Sequence, residues 1–361
     1  MAKTKALLLV FLGLLAPRFA LAQQSSATAQ VQVRVEAGQE AQVPEPWRYP
    51  VRQGAFFGLI NERGDLITGA QFDAIRPFAG HLGAARRDHL WGFVDGEGTW
   101  VIEPVFQEVD DFQEGRARVL TREGWILIDA EGKQLTGRAY VAMTPLGDGL
   151  AAYQADASTT PRGQPGRWGV LSADGVELSG PSFDGAGLPH AGRIPAERYR
   201  KLLFLRLEKR WGFVDSSGEW AIDPVFTSVR SFSEGAALVS DGRTGRFIGP
   251  LGDTLLTVPF PIVHPFSEGL ARVGEGGQVG FINRSGEVVI APAFEAATDF
   301  SNGRAAVRLD GLWGYLDTEG RQVIPGRFQV ASQFEGPLAR VVENGAEMYV
   351  TRTGEIVWPN R

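Results

Sequence analysis

Carboxylates and tryptophans recur at fixed spacing along this 361-residue chain, and they are the side chains from which a site could be built. Asp95, Asp129, Asp215 and Asp317, with Asn61 and Asn283 in the same place in the pattern, would make a ring of oxygens able to hold calcium or a sugar. Each stands three residues before a glycine, however, where an Asp or Asn side chain starts a tight turn by accepting backbone N–H groups, so turn structure is the favoured reading. The nine tryptophans could form a carbohydrate platform, yet most fall at repeat-locked positions and read as core. Trp100 and Trp220, each nine positions after a unit start, are the rings expected to be exposed and to bind ligand.

Other chemistry finds little support. His81, His89, His190 and His264 are scattered and make no metal set. No Gly-x-Ser-x-Gly elbow, His-Glu-x-x-His or Gly-x-x-x-x-Gly-Lys loop occurs. Cysteine is absent, which removes thiolate nucleophiles, disulfides and thiolate metal sites together. Glycoside hydrolysis would need two carboxyls facing each other across about 5–10 Å, and abundance alone nominates no pair. The expectation is a protein without catalytic residues, metal or cofactor.

The elements that position these residues come from a repeat. Trp91-Gly92-Phe93-Val94-Asp95 reappears as Trp211-Gly212-Phe213-Val214-Asp215, and Trp313-Gly314 and Val279-Gly280 open further copies. Weaker copies begin at Phe57, Trp125, Trp168, Gly245 and Glu347, so that unit starts fall near 57, 91, 125, 168, 211, 245, 279, 313 and 347. Seven positions after each start stands a glycine, from Gly64 and Gly98 to Gly320 and Gly354. An aromatic ring follows fifteen positions after eight consecutive starts, as in Phe72, Phe106 and Phe328. Each unit reads as a three-stranded antiparallel meander. A strand such as Gly303-Arg304-Ala305-Ala306-Val307 turns into the Trp-Gly strand, an Asp-x-x-Gly turn follows, and the third strand is expected to stop at Pro104, Pro224, Pro292 or Pro325. One weak helix is expected around 195–201. The fold class is therefore all-β, about nine tandem units whose rings can be buried only against neighbouring units. Such stacking closes into a propeller-like toroid or stays an open β superhelix, with the toroid slightly favoured.

The Trp-Gly start, the Asp-x-x-Gly turn, the Val-Ile-x-Pro-x-Phe stretch and the Phe-x-x-Gly-x-Ala-x-Val tail resemble bacterial WG-repeat proteins over 47–361. The resemblance implies an exported or surface protein with a binding or interaction role. The units at Gly245 and Glu347 depart from the pattern by lacking the tryptophan.

Residues 1–22 read as a signal peptide, with Lys3 and Lys5, an apolar run over 6–16 and an Ala-Leu-Ala cleavage pattern at 20–22. Residues 23–46 read as either a linker or a capping strand around Val31–Val35. Removing the leader leaves 33 basic and 42 acidic side chains and takes the formal charge from -6 to -9, which disfavours nucleic acid. No apolar run is long enough to span a membrane. Two nine-residue expansions break the period in adjacent units, over 156–167 and 184–200. The second carries His190, Arg193, Arg198, Tyr199 and Arg200, expected to form a basic patch for an anionic ligand or partner. Together these features point to an exported, periplasmic or extracellular scaffold that binds protein or a cell-envelope polymer. The alternative is a lectin-like module or glycan hydrolase. Oligomeric state is not legible.

Overall fold

The computed structural model describes residues 46–359, with 79, 156–165, 203–204 and 243 excepted. The expected leader and the expected capping strand at Val31–Val35 lie outside the described residues. Nine antiparallel sheets follow one another along the chain, and no helix occurs among the described residues. Numbered as blades, they cover 49–72, 74–106, 108–129, 142–183, 185–226, 228–258, 262–294, 296–328 and 330–358.

Blade 2 shows how the repeat builds a blade. Its strands Ala74–Ile75, Gly83–Arg87, Leu90–Val94 and Trp100–Phe106 pair in that order. Seven blades have four strands, and blades 1 and 3 have three. The strand added to the expected meander is only two residues long in blade 2, too short for alternation to register in the sequence.

The Trp-Gly dipeptide has a mechanical cause. Trp91 opposes Phe106 while Phe93 opposes Ile102, so the fourth strand bulges between them. A Cβ on Gly92 would stand 2.4 Å from the Ile102 carbonyl oxygen and 2.8 Å from the Pro104 nitrogen, so the bulging backbone leaves room only for glycine. Gly212 and Gly280 meet the Ile222 and Ile290 oxygens at the same 2.4 Å. The bulge also corrects the expectation about prolines. Pro104, Pro224, Pro292 and Pro325 do not stop their strands but lie inside Trp100–Phe106, Trp220–Phe226, Val288–Phe294 and Gln322–Phe328. Where the ladder is already interrupted, a missing N–H costs nothing. In blade 3 the glycine is replaced by Ile126, and pairing beyond Asp129 falls to the single bridges Trp125 with Tyr140 and Ile128 with Gln134.

The Asp-x-x-Gly segments are turns. Asp95 Oδ1 accepts from the backbone amides of Glu97 and Thr99 at 3.0 and 2.8 Å, and Gly98 takes the left-handed conformation at φ 78°. The same pair of bonds recurs at Asn61, Asp129, Asp215, Asn283 and Asp317. The segment expected as a weak helix belongs to the strand Ile194–Leu202, which pairs along its length with Leu205–Val214. A partner strand of matching length satisfies the backbone continuously, and that outweighs a weak local propensity.

Rings are buried between blades. Phe93 and Ile102 of blade 2 pack with Val109, Ala117 and Ile128 of blade 3, and comparable clusters recur around the molecule. The hydroxyls of Ser233, Ser267 and Ser301 donate to the carbonyls of Phe266, Phe300 and Phe334 one blade further on, at 2.6–2.7 Å. The last seam joins the ends of the array. Tyr49 of blade 1 packs with Leu338 and Tyr349 of blade 9, the two tyrosine rings 5.3 Å apart between centroids. The Tyr49 hydroxyl donates to the Glu335 carbonyl at 2.6 Å and the Tyr349 hydroxyl to the Pro50 carbonyl at 2.9 Å. The array is thus a closed nine-bladed propeller, and it closes through an aromatic lock, since among the described residues no sheet combines strands from both ends. No helix among the described residues is long and apolar enough to cross a membrane.

Candidate functional site

The oxygen ring imagined from the sequence is committed to architecture, since Oδ1 of each Asp or Asn accepts amides of its own turn. Among the described residues no three His, Asp or Glu side chains are grouped to hold a metal. The most connected carboxylate is Glu177, which accepts from Tyr140 and Tyr153 at 2.9 and 2.8 Å and from Arg138 at 2.8 Å across the seam between blades 3 and 4. Burial raises its pKa, but the hydrogen bonds from Tyr153, Tyr140 and Arg138 outweigh burial and hold it below the ordinary carboxylate value. Burial and the bond to Glu177 push the Tyr140 phenol up to about 12. A carboxylate held ionised between neutral phenols is a seam bolt rather than a proton-transfer pair.

Trp100 and Trp220, expected to be exposed, are half-buried. Trp100 packs against the cluster of Leu59, Phe72 and Val94, edge-on to Phe72 at 5.7 Å, with the Arg87 guanidinium 4.9 Å from its centroid. Trp220 lies against Phe183, Ile194 and Val214, with Arg198 4.7 Å from its centroid. A sugar stacking on either ring would have to displace a guanidinium already placed there.

The expected basic patch is not gathered into one place. His190 and Arg193 bridge across a tight turn, and His190 Nδ1 lies 2.8 Å from Asp148 Oδ2 in the preceding blade. That turn is the counterpart of Gln113 with Arg116 in blade 3, so it is ordinary repeat structure. Arg198, Tyr199 and Arg200 lie further along the strand, Arg200 roughly 23 Å from Arg193 at the rise of an extended chain. The extra residues of this unit therefore do not lengthen the connection between blades, as expected from sequence. They extend the hairpin Ile194–Leu202 with Leu205–Val214, which corresponds to the hairpin lengthened in blade 4. From Arg198 to Arg210 this hairpin carries six Arg and Lys against the single acid Glu208. Arg198 directly opposes Arg210, and both line a cleft of about 560 Å³ with Pro224, Val225 and Asp241.

A larger cleft of about 880 Å³ adjoins it in blade 6, and the sequence reading missed it. Its walls are apolar where Trp211, Val229, Leu238, Phe260 and Val263 meet, and Thr227, Ser228, Ser240 and Thr244 line it with hydroxyls. Gly245, the residue in the tryptophan position, lines it directly opposite Ser240. The bulge is missing as well. Gly245 pairs with Val258 and Arg246 with Thr257 in continuous register, because Arg246 has a Cβ where other blades have glycine. The chain beyond Val258 is consequently irregular at Pro259 and Phe260. The signal was present in the sequence as a lost tryptophan, but a lost side chain reveals a void only once its neighbours are placed.

Known proteins agree with this architecture. No curated protein matches the chain in sequence. Among solved structures, a "Crystal structure of the eukaryotic initiation factor" superposes with a TM-score of 0.54 at 12% identity, covering 87% of this chain and 94% of that one. Apo AztD from Citrobacter koseri superposes more loosely, at 0.40 with 12% identity over 87% and 94% of the two chains. Hsv2 from Kluyveromyces lactis does so at 0.35 with 10% identity over 82% and 92%. At such identity the first likeness is one of fold alone. The sequence itself matches the model of the WG containing repeat at 57–86, 91–125, 211–242, 280–313 and 313–345. With the Trp-Gly bulge, the Asp-x-x-Gly turn and nine stacked blades all in place, the chain is a WG-repeat protein.

Proposed function

We propose that this WG-repeat propeller is an exported, non-enzymatic scaffold that binds a protein or cell-envelope polymer through blades 4 to 6. The observation that carries the reading is that the two insertions, the basic hairpin and the cleft of about 880 Å³ fall in neighbouring blades. Two lengthened hairpins, the pair Arg198 and Arg210, and the cleft at Gly245 occupy three successive blades, while the Asp and Trp side chains elsewhere serve turns and seams. In repeat folds, binding tends to concentrate on such insertions because the scaffold beneath holds them rigidly. The basic hairpin on an acidic chain favours an anionic partner. Export rests on the leader-like residues 1–22.

Capture from an envelope extract tests this. Replacing residues 199–209 by an Asn-Gly turn, which suits a two-residue hairpin, leaves the blade intact and removes four of the six cations. Capture by the mature chain is expected to weaken with added salt and to fall about tenfold or more in the shortened variant. Undiminished, salt-independent capture by a folded variant would contradict the assignment to this sector.

A further inference from the structure

We infer that the cleft around Gly245 is a receptor for an aromatic side chain, indole above all, presented by an extended segment of a polypeptide partner. The inference rests on the scaffold reading and names the chemistry one of its surfaces would recognise. Its basis is internal to the molecule. Trp91, Trp125, Trp168, Trp211 and Trp313 fill the corresponding position in five other blades, each packed against its seam cluster. For Trp211 the neighbours include Phe226 and Val229, and for Gly245 the corresponding residues are Phe260 and Val263, both lining the cleft. The aromatic and aliphatic walls are thus present while the indole they would surround is missing.

Clefts also open beside other units that lack the tryptophan. Where Val279 replaces tryptophan in blade 7 a cleft of about 350 Å³ opens beside it, and where Glu347 replaces it in blade 9 one of about 340 Å³. With glycine the cleft is about 880 Å³, within the range of roughly 300–1,000 Å³ typical of ligand sites. The lining supplies what a peptide needs besides its ring. The hydroxyls of Ser228 and Thr244 offer donors and acceptors to backbone amides flanking the inserted side chain, while Thr227 is engaged with the Ser240 carbonyl and Ser240 Oγ accepts from the Gly242 amide, and Trp211 offers an aromatic surface. An aromatic anchor in a desolvated pocket is the usual centre of a protein interface.

The site can be closed without strain. Gly245 has no left-handed backbone, and a Cβ there meets only Leu238 Cδ1 at 3.7 Å and Val263 Cγ2 at 3.9 Å, ordinary contact distances. Gly245→Trp should therefore supply the missing side chain and plug the cleft with a covalent indole. The probes are N-acetyl-tryptophanamide, and N-acetyl-leucinamide as the non-aromatic comparison, titrated into the mature chain by calorimetry and by ligand-to-protein NOE. The expected result is saturable binding of the tryptophan probe at least about tenfold tighter than the leucine probe. NOEs to the methyls of Val229, Leu238 and Val263 should accompany it, and Gly245→Trp should abolish it. Should that variant fold poorly, Gly245→Leu serves as a smaller plug, and the NOEs locate the probe on the unmodified protein in any case. No saturable binding, no preference for the aromatic probe, or NOEs to other residues would overturn the inference. Envelope capture separates the two readings: capture that persists in Gly245→Trp while the probes fail removes the aromatic receptor alone, and absence of capture by the unmodified chain removes the scaffold reading.

Discussion

Tyr49→Ala is expected to destabilise the propeller by about 3–5 kcal/mol in chemical denaturation, the usual range for deleting a fully buried ring. Tyr49 is 0% exposed, meets the Tyr349 ring at 5.3 Å and bonds the Glu335 carbonyl, so one substitution removes packing and hydrogen bonding at the only seam joining the chain's ends. The other eight seams join blades that are consecutive along the chain, so opening one of them leaves a covalent connection in place. Among the described residues, side chains alone resist separation at the closing seam. In a nearest-neighbour array its loss frees two terminal blades to fray. A cost below about 1 kcal/mol would mean that this seam does not hold the molecule.

Gly92→Ile should be strongly damaging inside its blade. Its Cβ would meet backbone at 2.4 and 2.8 Å, atoms that cannot move without dislocating the strand Trp100–Phe106. Overpacking of this kind costs typically about 1–3 kcal/mol, and backbone contacts place this case at the upper end or beyond. Ile126 already occupies the position in blade 3, where regular pairing gives way to isolated bridges, while Arg246 in blade 6 keeps its pairing only with the bulge gone; either way the native register of the strand 100–106 is lost. Amide exchange at residues 100–106 should accelerate in the variant while blades 4 to 9 keep their protection. Unchanged protection and stability would refute the steric origin of the Trp-Gly dipeptide.

Much of this was legible because the repeat states each constraint many times. Nine glycines at the turn position and rings at a fixed offset announced the blade count, and the Asp-x-x-Gly spacing announced turns rather than a metal ring. Illegible features depended on what a residue faces across a sheet or seam. Pro104 reads as a strand breaker until Ile102 and Phe106 are seen to flank a bulge. Ring closure turns on Tyr49, which precedes the first unit start, and on Tyr349, an ordinary ring position of the last unit 300 residues further along the sequence. His190 and Arg200 look like neighbours in a basic run, yet a turn and an extended strand separate them. The cleft was hidden because its defining feature is an absence at Gly245, whose walls come from Trp211 and Phe260 in flanking segments.

Closure of the nine blades is the claim on which the rest depends, and a double-mutant cycle on Tyr49 and Tyr349 tests it most directly. Tyr49→Leu, Tyr349→Leu and the double variant would be unfolded in denaturant and the coupling energy extracted. A closed ring predicts coupling of about 0.5–1.5 kcal/mol or more, the worth of an aromatic pair in contact. Additivity within about 0.3–0.5 kcal/mol, as for distant and independent sites, would mean that the first and last blades do not touch and that the array is open.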